Sequence, residues 1–234
     1  MRGVPDQRPH VSRAAGVVSL ATLVSRLLGF VRDILIARAF GSGLAADAFF
    51  ASFGIANLLR RLFGEGALQA SFIPVFASVL QREPRTSARR LAGASFLALG
   101  GALLVVTVLG MVLAEPLAWA LVPGFGAVPG KLALTARLTR IMFPYLFFIG
   151  LSVLAAGVLN AARHFFAPAL SPALLNVAMI SALLGALAWG AEPAAALAWG
   201  AVAGGLLQLL FHLPPLWRTG MWPILSADFG RPEL

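Results

Sequence analysis

The chain has 234 residues, 59% of them hydrophobic and only 12% charged, and its mean hydropathy is +0.88. A soluble domain carries about twice that charged fraction, so composition excludes an ordinary soluble domain and indicates an integral membrane protein. The net charge of +9 rests on arginine, with Lys131 the sole lysine, and the lack of cysteine excludes disulfides, thiolate metal sites and cysteine nucleophiles.

Residues 1–13, MRGVPDQRPHVSR, form a polar, proline-containing tail. Arg2, Arg8 and Arg13 ahead of an apolar run resemble a secretion signal superficially. The run is too long and is interrupted by charges, so it reads as a retained first helix.

That run, Ala14 to Phe40, can cross a bilayer, because a hydrocarbon core of ~30 Å needs about 20 helical residues. Arg26, Arg32 and Asp33 lie well inside it. Facing lipid at mid-depth, each would cost roughly 2.5–3.5 kcal/mol. At about 100° per residue, Ser19, Thr22, Ser25, Arg26, Gly29, Arg32 and Asp33 share a sector of ~140°. Leu20, Leu23, Val24, Leu27, Val31, Ile34 and Leu35 cover the remainder. One face meets lipid; the other is built to meet water, a counter-charge or an anionic ligand.

Gly41-Ser42-Gly43 ends this span, and the second element, about Ala45 to Gln81, is too long for one crossing. Asp47, Gly54, Asn57, Arg61 and Glu65 fall within a stripe of ~80°. Gly64-Glu65-Gly66 interrupts the helix near 64–66, and Pro74 is placed to kink its continuation. An interrupted, polar-striped helix suits the wall of a cavity. Arg60-Arg61, at a helix end, reads first as an interfacial anchor.

Further spans are expected at 91–121, 132–160 (with Pro144 inside), 173–189 and 194–213, making six, followed by a polar segment at 214–234. With six spans, the amino terminus and the loops at 81–90, 161–168 and 214–234 share one side. That side collects most of the arginines, so both termini are expected in the cytoplasm.

Catalytic signals are poor. There is no HExxH, no acidic metal-binding pair, no nucleophile elbow and no phosphate-binding loop. His10, His164 and His212 read as interfacial. The chain is expected to be no enzyme and to hold no metal and no cofactor, with coupling to membrane potential or an ion left open; no nucleic-acid partner is indicated. Two readings of Arg26, Arg32, Asp33 and Asp47 stay open on the residues alone. They form either an ion-pair network fastening the first two helices or a polar cavity receiving an anionic headgroup.

The stretch SRLLGFVRDILIARAFGSGLAADAFFASFGIANLLRRLFGEGALQASFIPVF, Ser25 to Phe76, resembles the amino-terminal signature of the MurJ (MviN) family of lipid II flippases. RIMFPYLFFIGLSVLAAGVLNAARHFFAPALSPALLNVAMI and GGLLQLLFHLPPLWRTGM extend the likeness over nearly the whole chain. The resemblance implies an all-α amino-terminal bundle of a MOP-superfamily, MATE-like transporter in the bacterial inner membrane. Its implied partners are membrane lipids and an undecaprenyl-pyrophosphate-linked peptidoglycan precursor, carried by alternating access. It implies substrate or cavity roles for Arg26 and Arg32, support from Ser25, Asp33 and Asp47, and a required basic residue at Arg60. Asn57 and Glu65 match more weakly.

The family pattern has a second bundle that these residues do not include. The expectation is a fragment, or a partner chain supplying the missing bundle, and a chain not transport-competent alone. Two alternatives are a polysaccharide-lipid exporter of the same superfamily and a non-transporting membrane module that binds a lipid-linked precursor.

Overall fold

The computed structural model describes residues 8–41, 43–61 and 72–225. Among them the regular structure is helical throughout: α1 (Arg8–Phe40), α2 (Leu44–Arg60), α3 (Ile73–Arg82), α4 (Arg85–Val112), α5 (Ala114–Leu121), α6 (Lys131–Ala161), α7 (Phe166–Trp189) and α8 (Pro193–Arg218). A short 3-10 turn, Pro123–Ala127, separates α5 from α6.

The breaks follow local chemistry. Gly41 (φ +57) ends α1 and Gly190 (φ +69) ends α7 in the left-handed conformation that glycine adopts without penalty. The expected span 91–121 begins earlier, at Arg85, and divides at Leu113 into α4 and α5. The expected span 173–189 is α7, which begins earlier, at Phe166, taking Pro168 and Pro172 inside it. Pro168 occupies the first turn, where no intrahelical N–H bond is due. Pro172 would leave the Pro168 carbonyl without its usual donor, and the Ser171 hydroxyl donates to that oxygen at 3.3 Å. The last helix runs through Pro214 and Pro215 to Arg218, beyond the expected 213.

Four helices, α4, α6, α7 and α8, are long and apolar enough to cross a membrane, and Leu44–Leu58 is a shorter apolar helix. The expected count of six is thus not reached by length and apolarity among the described residues. The exposed faces are nonetheless apolar: Leu104, Val105, Val108, Leu109 and Val112 line the outside of α4.

At the centre is α6, packed against α2, α3, α4, α5 and α8, and buried on several faces as an all-round apolar helix must be. The α7–α8 pair forms the other large interface, and α1 lies against α7. Small residues set the α7–α8 spacing. A Cβ on Gly204 would stand 2.8 Å from Leu175 Cα, and one on Gly200 would stand 3.0 Å from Met179 Cα. Two buried clusters result. One joins Ile36, Phe49, Leu138, Met142, Tyr145, Met179 and Leu197; the other joins Phe76, Leu91, Val158, Leu159, Leu216 and Met221. Past α8 the chain crosses the start of α4. The Ile224 N–H donates to the Arg89 carbonyl at 3.0 Å, and Arg89 Nε donates to the Trp222 carbonyl at 2.8 Å.

Candidate functional site

The polar sector of α1 splits in two. The Ser25, Gly29 and Arg32 side meets α7, whereas Arg26 and Asp33 are exposed. Arg32 is the anchored cation. Its Nε and Nη2 donate to Asp33 Oδ1 at 3.0 and 2.8 Å, and its Nη1 donates to Asn176 Oδ1 at 2.9 Å. Neighbouring helical residues point about 100° apart, so the long Arg32 stem must fold around the helix to reach Asp33. The guanidinium carbon also lies 5.9 Å from the centre of the Phe53 ring on α2, within cation–π range.

Asn176 holds both ends of this arrangement. Its Nδ2 donates to the Ser25 carbonyl at 3.0 Å while its Oδ1 receives Arg32. Gly29, one turn from each, places no side chain between them; a Cβ there would meet Asn176 Nδ2 at 3.6 Å. Arg32 keeps 18% of its side chain exposed and Asp33 keeps 56%. Arg26 has no hydrogen-bond partner among the described residues and stands exposed on the same helix.

The remaining expected residues lie elsewhere. Asp47 does not join the arginines of α1; it pairs with Lys131 Nζ at the start of α6. At that same end Arg137 pairs with Glu192, joining α6 to the start of α8. Arg60 Nε donates to Asn57 Oδ1 at 2.8 Å, one turn back on α2. Glu65 lies outside the described residues.

Arg60 and Asn57 line a half-open cavity of about 470 Å³ between α2, α6, α7 and α8, with Ile73 of α3 at its edge. Tyr145, Ser152, Gln208 and His212 add polar groups to a wall otherwise built from side chains such as Ile149, Val153 and Leu175. Arg26, Arg32, Asp33 and Asp47 do not line it. The candidate residues thus fall into three places: the α1–α7 seam, the internal cavity, and the Asp47–Lys131 end.

Two side chains emerge that the sequence reading passed over, and a third that it placed elsewhere. Asn176 and Gln208 are lone amides within otherwise apolar helices, and that isolation was the available signal. His212, expected at an interface, is fully buried in α8, with Nδ1 3.1 Å from Ser152 Oγ.

A family model described as lipid II flippase MurJ matches residues 36–233. The chain is 41% identical over 219 residues to a lipid II flippase MurJ of Burkholderia cenocepacia, covering 94% of this chain and 42% of that protein. It is 40% identical over 234 residues to a probable lipid II flippase MurJ of Bdellovibrio bacteriovorus, covering 99% of this chain and 45% of the relative. The chain therefore spans less than half the length of these curated relatives. Among solved structures, a lipid II flippase MurJ in an inward closed conformation superposes with a TM-score of 0.72. That match has 24% identity and covers 90% of this chain and 43% of the other. At this identity it is the fold that is shared.

Proposed function

Since the chain belongs to the lipid II flippase MurJ family, we propose that it forms the amino-terminal bundle of a transporter moving a lipid-linked peptidoglycan precursor across the bacterial inner membrane. The bundle is of the MOP-superfamily, MATE-like type, with six crossings and the amino terminus in the cytoplasm. Movement by alternating access calls for a second bundle, so these residues act as one half of the machine and do not complete a cycle alone.

One observation carries the binding role: Arg32 is oriented by two acceptors and yet left partly open, on the same helix as an exposed Arg26. An apolar helix gains nothing in stability from an exposed guanidinium at bilayer depth. A pyrophosphate supplies what both arginines can use, bidentate charge-assisted hydrogen bonds in a partly dehydrated site. Asp33 keeps Arg32 aimed and limits how tightly the anion is held, which lets the headgroup leave. The lipid tail stays in the bilayer while the headgroup crosses.

The test is rescue of flippase-depleted cells by the complete protein. Arg26→Ala and Arg32→Ala each abolish rescue at normal expression, and Arg32→Lys, which keeps the charge and loses the fork, fails to restore it fully. Normal growth of the alanine variants overturns the reading.

A further inference from the structure

The end of α8 is weak in itself and fastened from outside. Pro214 and Pro215 carry no N–H, so the Leu210 and Phe211 carbonyls lose the donors that helix geometry would supply. Two successive bonds are therefore missing from the ladder at one point. Beyond it, Leu216 and Met221 are 1% and 2% exposed, in the buried cluster that holds Phe76 of α3, Ala88 and Leu91 of α4, and Val158 and Leu159 of α6. The chain reverses at Gly220, which is left-handed at φ +70. There the Met221 N–H donates to the Leu216 carbonyl at 2.9 Å, and the Gly220 N–H donates to the Trp217 carbonyl at 3.0 Å.

After that turn the chain lies on the start of α4. The Ile224 N–H donates to the Arg89 carbonyl, and Arg89 Nε donates back to the Trp222 carbonyl. The Arg89 carbonyl sits within a helix whose next turn begins at Gly93, so the incoming chain must pass close over that residue. A Cβ on Gly93 would overlap the Ile224 carbonyl group and stand 3.1 Å from the Leu225 nitrogen. Both obstacles are main chain and cannot rotate away. Gly101, further along the same helix, has open space where its Cβ would be. Gly93 is thus the seat on which residues 222–225 rest.

We propose that residues 219–225 are a clasp and Pro214–Pro215 its hinge, so that the end of α8 opens from and shuts against α4 as a flap while residues 193–213 keep their packing. Gln208 and His212, which line the cavity, lie on the fixed side of the hinge. Traction on the chain past Leu225 is taken up by Arg89 and Gly93 before it reaches the cavity wall. The use of such a device in a transport cycle rests on the function proposed above. The clasp itself does not, and its test involves no substrate, so the two ideas fail separately.

The experiment is hydrogen exchange of the complete protein in nanodiscs, read by mass spectrometry over residues 193–225. Gly93→Ala speeds exchange over residues 216–225 by about tenfold or more and leaves residues 193–211 unchanged, because the flap opens locally. Gly101→Ala, the same change where space is open, alters neither stretch. Ile224→Pro removes the donor to Arg89 without touching a helix and reproduces the Gly93→Ala pattern, which keeps the test decisive if the Gly93 variant does not fold. Adding Pro214→Ala and Pro215→Ala to Ile224→Pro restores the ladder, so residues 216–218 slow again while residues 219–225 stay fast. Three results overturn the proposal: exchange unchanged in Ile224→Pro, acceleration that runs through the whole of α8, or a freed end that the two alanines do not slow.

Discussion

Arg32 shows how a guanidinium is held in place from two helices at once. Asp33 alone would form an exposed pair of little net worth, but Asn176 adds a fixed acceptor from another helix and secures itself on the Ser25 carbonyl. The arrangement predicts a measurable link between two residues 144 positions apart. In a double-mutant cycle with Arg32→Leu and Asn176→Leu, read by reversible unfolding in micelles, the coupling is expected at about 0.6–1.7 kcal/mol, the range of interhelical hydrogen bonds in membrane proteins. A value near zero would mean that Asn176 does not orient the guanidinium. At this scale Arg26, Arg32 and Asp33 were legible because a charge inside an apolar run is conspicuous. Asn176, Gln208 and His212 were not. Single polar side chains carry no periodicity, and their meaning comes from residues far away in sequence that only the packed bundle brings beside them.

Among the elements, α8 depends on its glycines. Gly204 and Gly200 let its backbone approach the Leu175 and Met179 Cα atoms of α7. Because the obstruction is backbone, it cannot turn aside as a side chain would. Gly204→Leu is expected to lower the melting midpoint, at a cost of about 1–3 kcal/mol for an overpacked contact. Gly101→Ala, on α4 with open space around it, is expected to be neutral or to stabilise by about 0.5–1 kcal/mol through helix propensity. Equal midpoints for the two variants would contradict the packing account. Which helix would come close to these glycines is settled by the packed bundle. Helix starts were less readable. Proline marked a boundary near 172 in the linear pattern, while the fold carries α7 back to Phe166 by lending the Ser171 hydroxyl to a carbonyl the proline cannot serve.

For the molecule as a whole, the helix order was legible from hydropathy and turn residues, and the packing hierarchy was not. Nothing in the linear pattern of residues 131–161 singles them out as the element packed against most of the others, because an all-round apolar helix reads the same whether its neighbours are lipid or protein. The proposed orientation is open to a direct check with single cysteines, since these 234 residues carry none and any elsewhere in the complete protein can be replaced. Introduced singly in the complete protein, Thr86→Cys is expected to be shielded from an impermeant thiol reagent in intact spheroplasts, and Gly126→Cys to react. The reverse pattern would invert the topology.

Two cross-helix ion pairs among the described residues, Lys131 with Asp47 and Arg137 with Glu192, sit where α6 begins, and their acidic partners are about half exposed, 50% and 47%. Mobile ions shorten the reach of such charges to about 8 Å at physiological strength and about 3 Å at 1 M. Toward the end of α8, by contrast, the Arg89, Trp222 and Ile224 contacts run through main-chain oxygens and buried apolar residues. Brine would therefore slacken the end where α6 begins while leaving the end where α8 stops clasped, so the bundle carries a built-in polarity in how it yields to the surrounding electrolyte.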